Sequence, residues 1–123
     1  MGYYNSDNLD DVITCLKDAI IETSNLSLAL CWLVELFVAI HAKKSGRIGK
    51  FYFLTTDARR LCKLSKQYRN AVSVLITYRN TYVHEGKYRA NNTNIKTVLP
   101  VLQQFALNQC NVYLDINRKQ FDV

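Results

Sequence analysis

The sequence predicts an all-α protein, an up-and-down bundle of four main helices. Three observations carry this reading. Glycine and proline are scarce, four and one in 123 residues, whereas sheet-rich folds need more turn residues. Hydrophobic residues make up 49% of the chain and recur at helical spacing over most of it. The length suits one domain with one modest core, so residues 1–123 read as a single helical domain.

The first helix is expected over about residues 8–23, with Ser6 or Asp7 as N-cap. Leu9, Val12, Ile13, Leu16, Ala19 and Ile20 then share one face. The second helix, from about Asn25 to Lys44, is apolar nearly all round, as a helix buried in a bundle should be. Its stretch Leu26–Ala42 is almost long enough to span a bilayer, but Glu35 falls in the middle and His41 near the end. A mid-membrane carboxylate costs roughly 3 kcal/mol, so no membrane association is expected. The first residues, MGYYNSDNLDD, lack the basic and apolar regions of a signal peptide.

A basic loop, KKSGRIGKFYF, follows; Ser45-Gly46 and Gly49 break the helix there. Its Phe51, Tyr52 and Phe53 suit either stacking on bases or packing on the bundle end. Thr55, Thr56 or Asp57 caps a third helix expected from Ala58 to Val83, with Gly86 as its stop. Leu61, Leu64, Tyr68, Ala71, Leu75, Tyr78 and Tyr82 form its apolar stripe. The fourth helix is expected from about Thr93 to Asp115, with Ile95, Leu102, Phe105 and Val112 on its apolar side. Pro100 falls in its first turn or at a kink. Residues 116–123 read as a frayed tail.

Charge is unevenly placed. Residues 1–42 hold one basic residue, Lys17, against six acidic ones; residues 43–89 hold twelve Lys or Arg against Asp57 and Glu85. Such a segment points toward a polyanion partner, nucleic acid or an anionic membrane, with a merely solvated surface as the alternative. Lys43, Lys44, Arg47 and Lys50, with Arg59, Arg60, Lys63 and Lys66, are the expected phosphate contacts, joined by Lys87 and Arg89. Four well-separated cysteines with no C-x-x-C pair, three of them among apolar neighbours as buried free thiols usually are, point to a reduced, cytoplasmic protein rather than to a metal site.

TYRNTYVHEGKY, residues 77–88, holds the chemistry-bearing residues. Arg79 is four residues from both Leu75 and Val83, so it lies over the apolar stripe. A buried guanidinium needs an anion or water; Glu35 is the intramolecular candidate. Five residues place His84 about 140° from Arg79 on a straight helix. Asn80, four residues before His84, shares its side and could fix one imidazole tautomer. Alternatively, His84 simply complements the helix C-terminus.

RNTYVHEG resembles the R-N-x-x-x-H signature of the HEPN superfamily, small helical bundles that carry it near the end of a late helix. The resemblance implies a metal-independent endoribonuclease acting as a homodimer on RNA, without a cofactor. Arg79, Asn80 and His84 would be its catalytic residues and Glu35 a supporting one. His84 suits the base that activates the RNA 2′-hydroxyl, and Arg79 suits the charge growing on the phosphoryl oxygens. The acid would come from His84 of a second copy. Products would be a 2′,3′-cyclic phosphate and a 5′-hydroxyl. A toxin or defence role, with an antitoxin or a larger defence complex as partner, is implied in the same way. Some toxin members read R-x-x-x-x-H-x-Y; Gly86 stands at that tyrosine's place, and Tyr88 comes two residues later. The superfamily also holds non-catalytic members, so a basic helical module that binds RNA or serves a ribonucleoprotein is the alternative.

Overall fold

The computed structural model is a bundle of four helices: α1 (Leu9–Glu22), α2 (Leu26–Lys44), α3 (Arg69–Glu85) and α4 (Asn92–Cys110). It describes residues 3–46, 50–52, 60, 62–86 and 89–122. Two three-residue strands, β1 (Tyr3–Asn5) and β2 (Lys50–Tyr52), pair antiparallel, with Tyr4 opposite Phe51. The aromatic pairs YY and FY are good strand formers, a signal that the helical reading of the chain passed over.

Helix α2 is the centre, packed against α1, α3 and α4. Thirteen of its 19 residues are buried, so the one described helix long and apolar enough to cross a membrane has its apolar surface covered by the bundle. Asn25 caps it, accepting from Leu28 N at 3.1 Å. Phe105 of α4 anchors the core, edge-on to Phe37 of α2 at 5.0 Å and to Tyr68 at 5.7 Å between ring centres. Helix α1 is preceded by a 3₁₀ turn, Ser6–Asn8, so its N-cap is Asn8 rather than Ser6 or Asp7, and no side-chain cap bond forms.

The third helix departs from expectation. Residues Lys63–Tyr68 form a 3₁₀ stretch in which Lys66 has φ 55°, ψ −120°, and the regular helix starts only at Arg69. Local side-chain bonds supply the alternative to α-helix. Ser65 Oγ donates to Cys62 O at 2.5 Å, Cys62 Sγ to Arg69 O at 3.2 Å and Arg69 Nη2 to Lys63 O at 3.2 Å. The expected cap at Thr55–Asp57, and Phe53, lie outside the described residues.

Helix α4 ends five residues early. Asn111 turns left-handed at φ 51° and Val112 N donates back to Ala106 O at 3.1 Å, so asparagine takes the place glycine usually holds at a helix end. Pro100 lies inside the helix, on its exposed side, beyond the first turn and with the helix continuous through it.

Residues 116–122 are not a frayed tail. Leu26 N donates to Gln120 O at 2.7 Å and Gln120 N to Ser24 O at 2.9 Å. Lys119, 7% exposed, donates its ammonium to the carbonyls of Ile21 and Thr23 at the end of α1, where a cation complements the helix dipole. Phe121 packs edge-on to Tyr78. The segment is held by backbone and cap bonds, which hydrophobic periodicity does not register.

All four cysteines are free, and Cys15 alone is exposed. Burial pushes the Cys31 and Cys110 thiols up to about 12. At pH 8 a thiol-specific chromogenic reagent should therefore label Cys15 quickly and the other three at least about tenfold more slowly, since the thiolate is the nucleophile. A second fast thiol in the folded protein would contradict this burial pattern.

Candidate functional site

The R-N-x-x-x-H residues occupy the second half of α3. Gly86, at φ 89°, ends the helix there, as expected. The chain then folds back: Arg89 N and Ala90 N both donate to Gly86 O, at 3.2 and 3.3 Å. Arg89 is thereby brought beside the helix it has just left.

Arg79 and His84 go separate ways. Arg79 is 3% exposed, whereas His84 is exposed on the surface. Arg79 Nη1 donates to Asn80 Oδ1 at 2.9 Å, so the Asn80 carbonyl faces the guanidinium and not the imidazole. Glu35, 8% exposed, and Arg79 both act on Cys31 of α2, the arginine lowering its pKa and the glutamate raising it against the dominant effect of burial. The guanidinium thus belongs to the α2–α3 seam.

That seam is polar along its length. Ser27, Cys31 and Glu35 recur every four residues on α2, opposite Tyr78, Arg79 and Tyr82 of α3. Ser27 Oγ and Tyr78 OH lie 2.8 Å apart, and Asp122 N donates to Ser27 Oγ at 3.0 Å. Tyr82 OH donates to Asp122 Oδ2 at 2.5 Å and its ring stacks on Tyr78. Burial first, then the Asp122 carboxylate, pushes the Tyr82 hydroxyl up. Asp122, in the segment expected to be frayed, closes this network. The four-residue spacing on α2 was visible in the sequence; its partner in the tail was not.

Of the expected phosphate contacts, Lys43, Lys44, Arg60, Lys63, Lys66 and Arg89 are exposed. Arg47, Arg59 and Lys87 lie outside the described residues, and Lys50 is on β2. Lys43 pairs with Asp10 of α1, so the acidic N-terminal segment partly offsets the basic one. Lys17, Lys43 and Lys44 rim a pocket with Cys110.

A different pocket, about 330 Å³, opens between α3 and α4. Ser73, Thr77 and Thr81 of α3 line one side, Asn91, Asn94 and Ile95 the other, with Val74, Tyr78 and Arg89. Its hydroxyl stripe at four-residue spacing is present in the sequence, but hydrophobic periodicity gives it no weight and so does not single it out.

No family model matches the chain, and no curated protein or solved structure matches it either.

Proposed function

We propose that the chain is a metal-independent endoribonuclease of toxin or defence type, active in the cytoplasm as a homodimer and related to the HEPN superfamily. The observation that carries this is the R-N-x-x-x-H set at the end of the third helix of a four-helix bundle, with its histidine exposed. An exposed imidazole is available to take the proton of an RNA 2′-hydroxyl and attack then yields a 2′,3′-cyclic phosphate and a 5′-hydroxyl. A second copy's His84, brought close by a two-fold axis near the end of α3, supplies the acid. Val83, 42% exposed beside His84, offers apolar surface for that contact. Helix α2 has little free surface to offer such an interface, because the bundle already covers it. Partners in this reading are RNA, a second copy, and an antitoxin or a larger defence complex.

Arg79 takes a positioning role here. At 3% exposure its guanidinium is not placed to meet a phosphate. That burial also favours a second reading, a non-catalytic basic module that binds RNA, in which Arg79 and Glu35 only knit α2 to α3. Incubation with mixed RNA in excess chelator distinguishes the two. Cleavage with cyclic-phosphate ends is expected, and His84→Ala should lower it at least about a hundredfold, the scale of losing an acid–base group. Helical circular dichroism should survive that exposed substitution. Undiminished cleavage by His84→Ala would overturn the mechanism.

A further inference from the structure

The separation of Arg79 from His84 leaves the exposed histidine without a cation from its own motif, while another arginine, Arg89, stands at the α3–α4 pocket. On a helix of 100° per residue, His84 lies roughly 20° from Thr77, whereas Arg79 lies about 160° away. Ser73, Thr77 and Thr81 therefore share the His84 side of α3, and the imidazole stands about 10 Å beyond Thr77 along the axis. Gly86 returns the chain so that Arg89 reaches the same pocket.

We infer that the pocket between α3 and α4 binds one nucleotide of a single-stranded RNA, with Arg89 as its phosphate ligand. This rests on the endoribonuclease reading for its link to His84, but the binding itself does not require cleavage. The volume, about 330 Å³, is at the small end of ligand pockets, which suits one nucleoside phosphate and excludes a duplex. The walls are of two kinds. Val74, half-buried, is apolar surface against which a base can lie, over a floor formed by the buried Ile95 and Tyr78. The amides of Asn91 and Asn94 carry donors and acceptors suited to base edges. Asn91 Oδ1 already accepts from Thr93 N at 2.8 Å, which leaves its NH₂ to donate. Thr81 Oγ1 donates to Thr77 O at 3.0 Å and so presents lone pairs, an acceptor suited to an exocyclic amine or a ribose hydroxyl. Arg89, exposed and on the rim, matches a phosphate in fork geometry. Among the described residues no carboxylate lines the pocket to oppose an anion.

The test is titration of isotopically labelled protein with each of the four nucleoside 3′-monophosphates, and separately with inorganic phosphate, followed by amide shifts. Saturable shifts are expected at Thr77, Thr81, Arg89 and Asn94, with at least one nucleotide binding about tenfold or more tightly than phosphate, the base adding its own contacts. Arg89→Ala should weaken nucleotide binding about tenfold or more, as loss of a charge-assisted bond does. Thr77→Trp, at an exposed position, should fill the pocket and abolish binding while the fold persists. Equal affinity for phosphate and nucleotides, no saturation by about 10 mM, which is weaker than ordinary recognition, or shifts confined to Lys43, Lys44 and Lys63 would each overturn the assignment. Nucleotide binding without RNA cleavage would retain the pocket and remove the nuclease reading. Cleavage undiminished in Thr77→Trp would do the reverse.

Discussion

Deleting residues 117–123 should lower the midpoint of thermal unfolding by roughly 10–20 °C, although the segment's described residues form no helix and only one isolated bridge, Gln120 with Asn25. The deletion removes the Lys119 ammonium from the last carbonyls of α1, the Gln120 bonds to Ser24 and Leu26, and the Asp122 carboxylate from Tyr82. Bonds to charged groups contribute about 1.5–3 kcal/mol each and neutral ones about 1. With partial compensation by water, a loss on the order of 3–4 kcal/mol remains. For a chain between the small and mid-sized classes, each kcal/mol shifts the midpoint by about 3–6 °C. A scanning calorimetry midpoint within about 3 °C of the parent would mean that the segment only rests on the bundle. Tyr82→Phe isolates one part of this. Because the Tyr82 hydroxyl is held up in the folded state, the unfolded chain loses that proton first as pH rises through the ordinary tyrosine range. Its contribution is therefore intact below about pH 10 and fades above it, and the Phe variant should lack that part of the alkaline loss.

Arg79→Ala should destabilise the fold by about 3–5 kcal/mol, the cost of removing one member of a buried charged set. Glu35 would keep its burial without the cation that shares the Cys31 neighbourhood, and Asn80 Oδ1 would lose its donor. Pairing Arg79→Met with Glu35→Leu should recover most of this, since apolar replacements of similar volume often match a buried ion pair. Urea unfolding of the three proteins measures both effects. If Arg79→Ala costs less than about 1 kcal/mol, in the range of a surface change, the guanidinium is not knitting the seam and is held for chemistry. The same result guides enzymology. Loss of RNA cleavage in Arg79→Ala would not identify a chemical role, because much of the protein would be unfolded.

The four helices were legible because their signals are local. Helix α2 is apolar on every side, and that alone places it at the centre. Gly86 ends α3 through a backbone angle few other residues adopt. The break at Lys63–Tyr68 was not legible: the apolar spacing of Leu61, Leu64, Tyr68 and Ala71 runs straight through it, with no glycine or proline to mark it. The tail was missed because its anchors lie some 95 residues away in sequence. At the candidate site, the position of Arg79 over the apolar stripe was correctly read from spacing, and so was its divergence from His84. Which helix would cover the arginine depends on how α2 and α3 pack, and spacing within α3 says nothing about that.

The strap across the α1–α2 junction also bears on the order of events during synthesis. Ser27 must wait for Asp122, 95 residues later. At about 5–20 residues per second, that interval is roughly 5–20 s on the ribosome. Through it the α1 carbonyls lack Lys119, and the seam residues of α2 emerge before α3 exists to cover them. The nascent α1–α2 hairpin thus displays a long apolar helix with a serine, a cysteine and a glutamate along one ridge, a surface on which a holding chaperone would find purchase until residues 119–122 arrive.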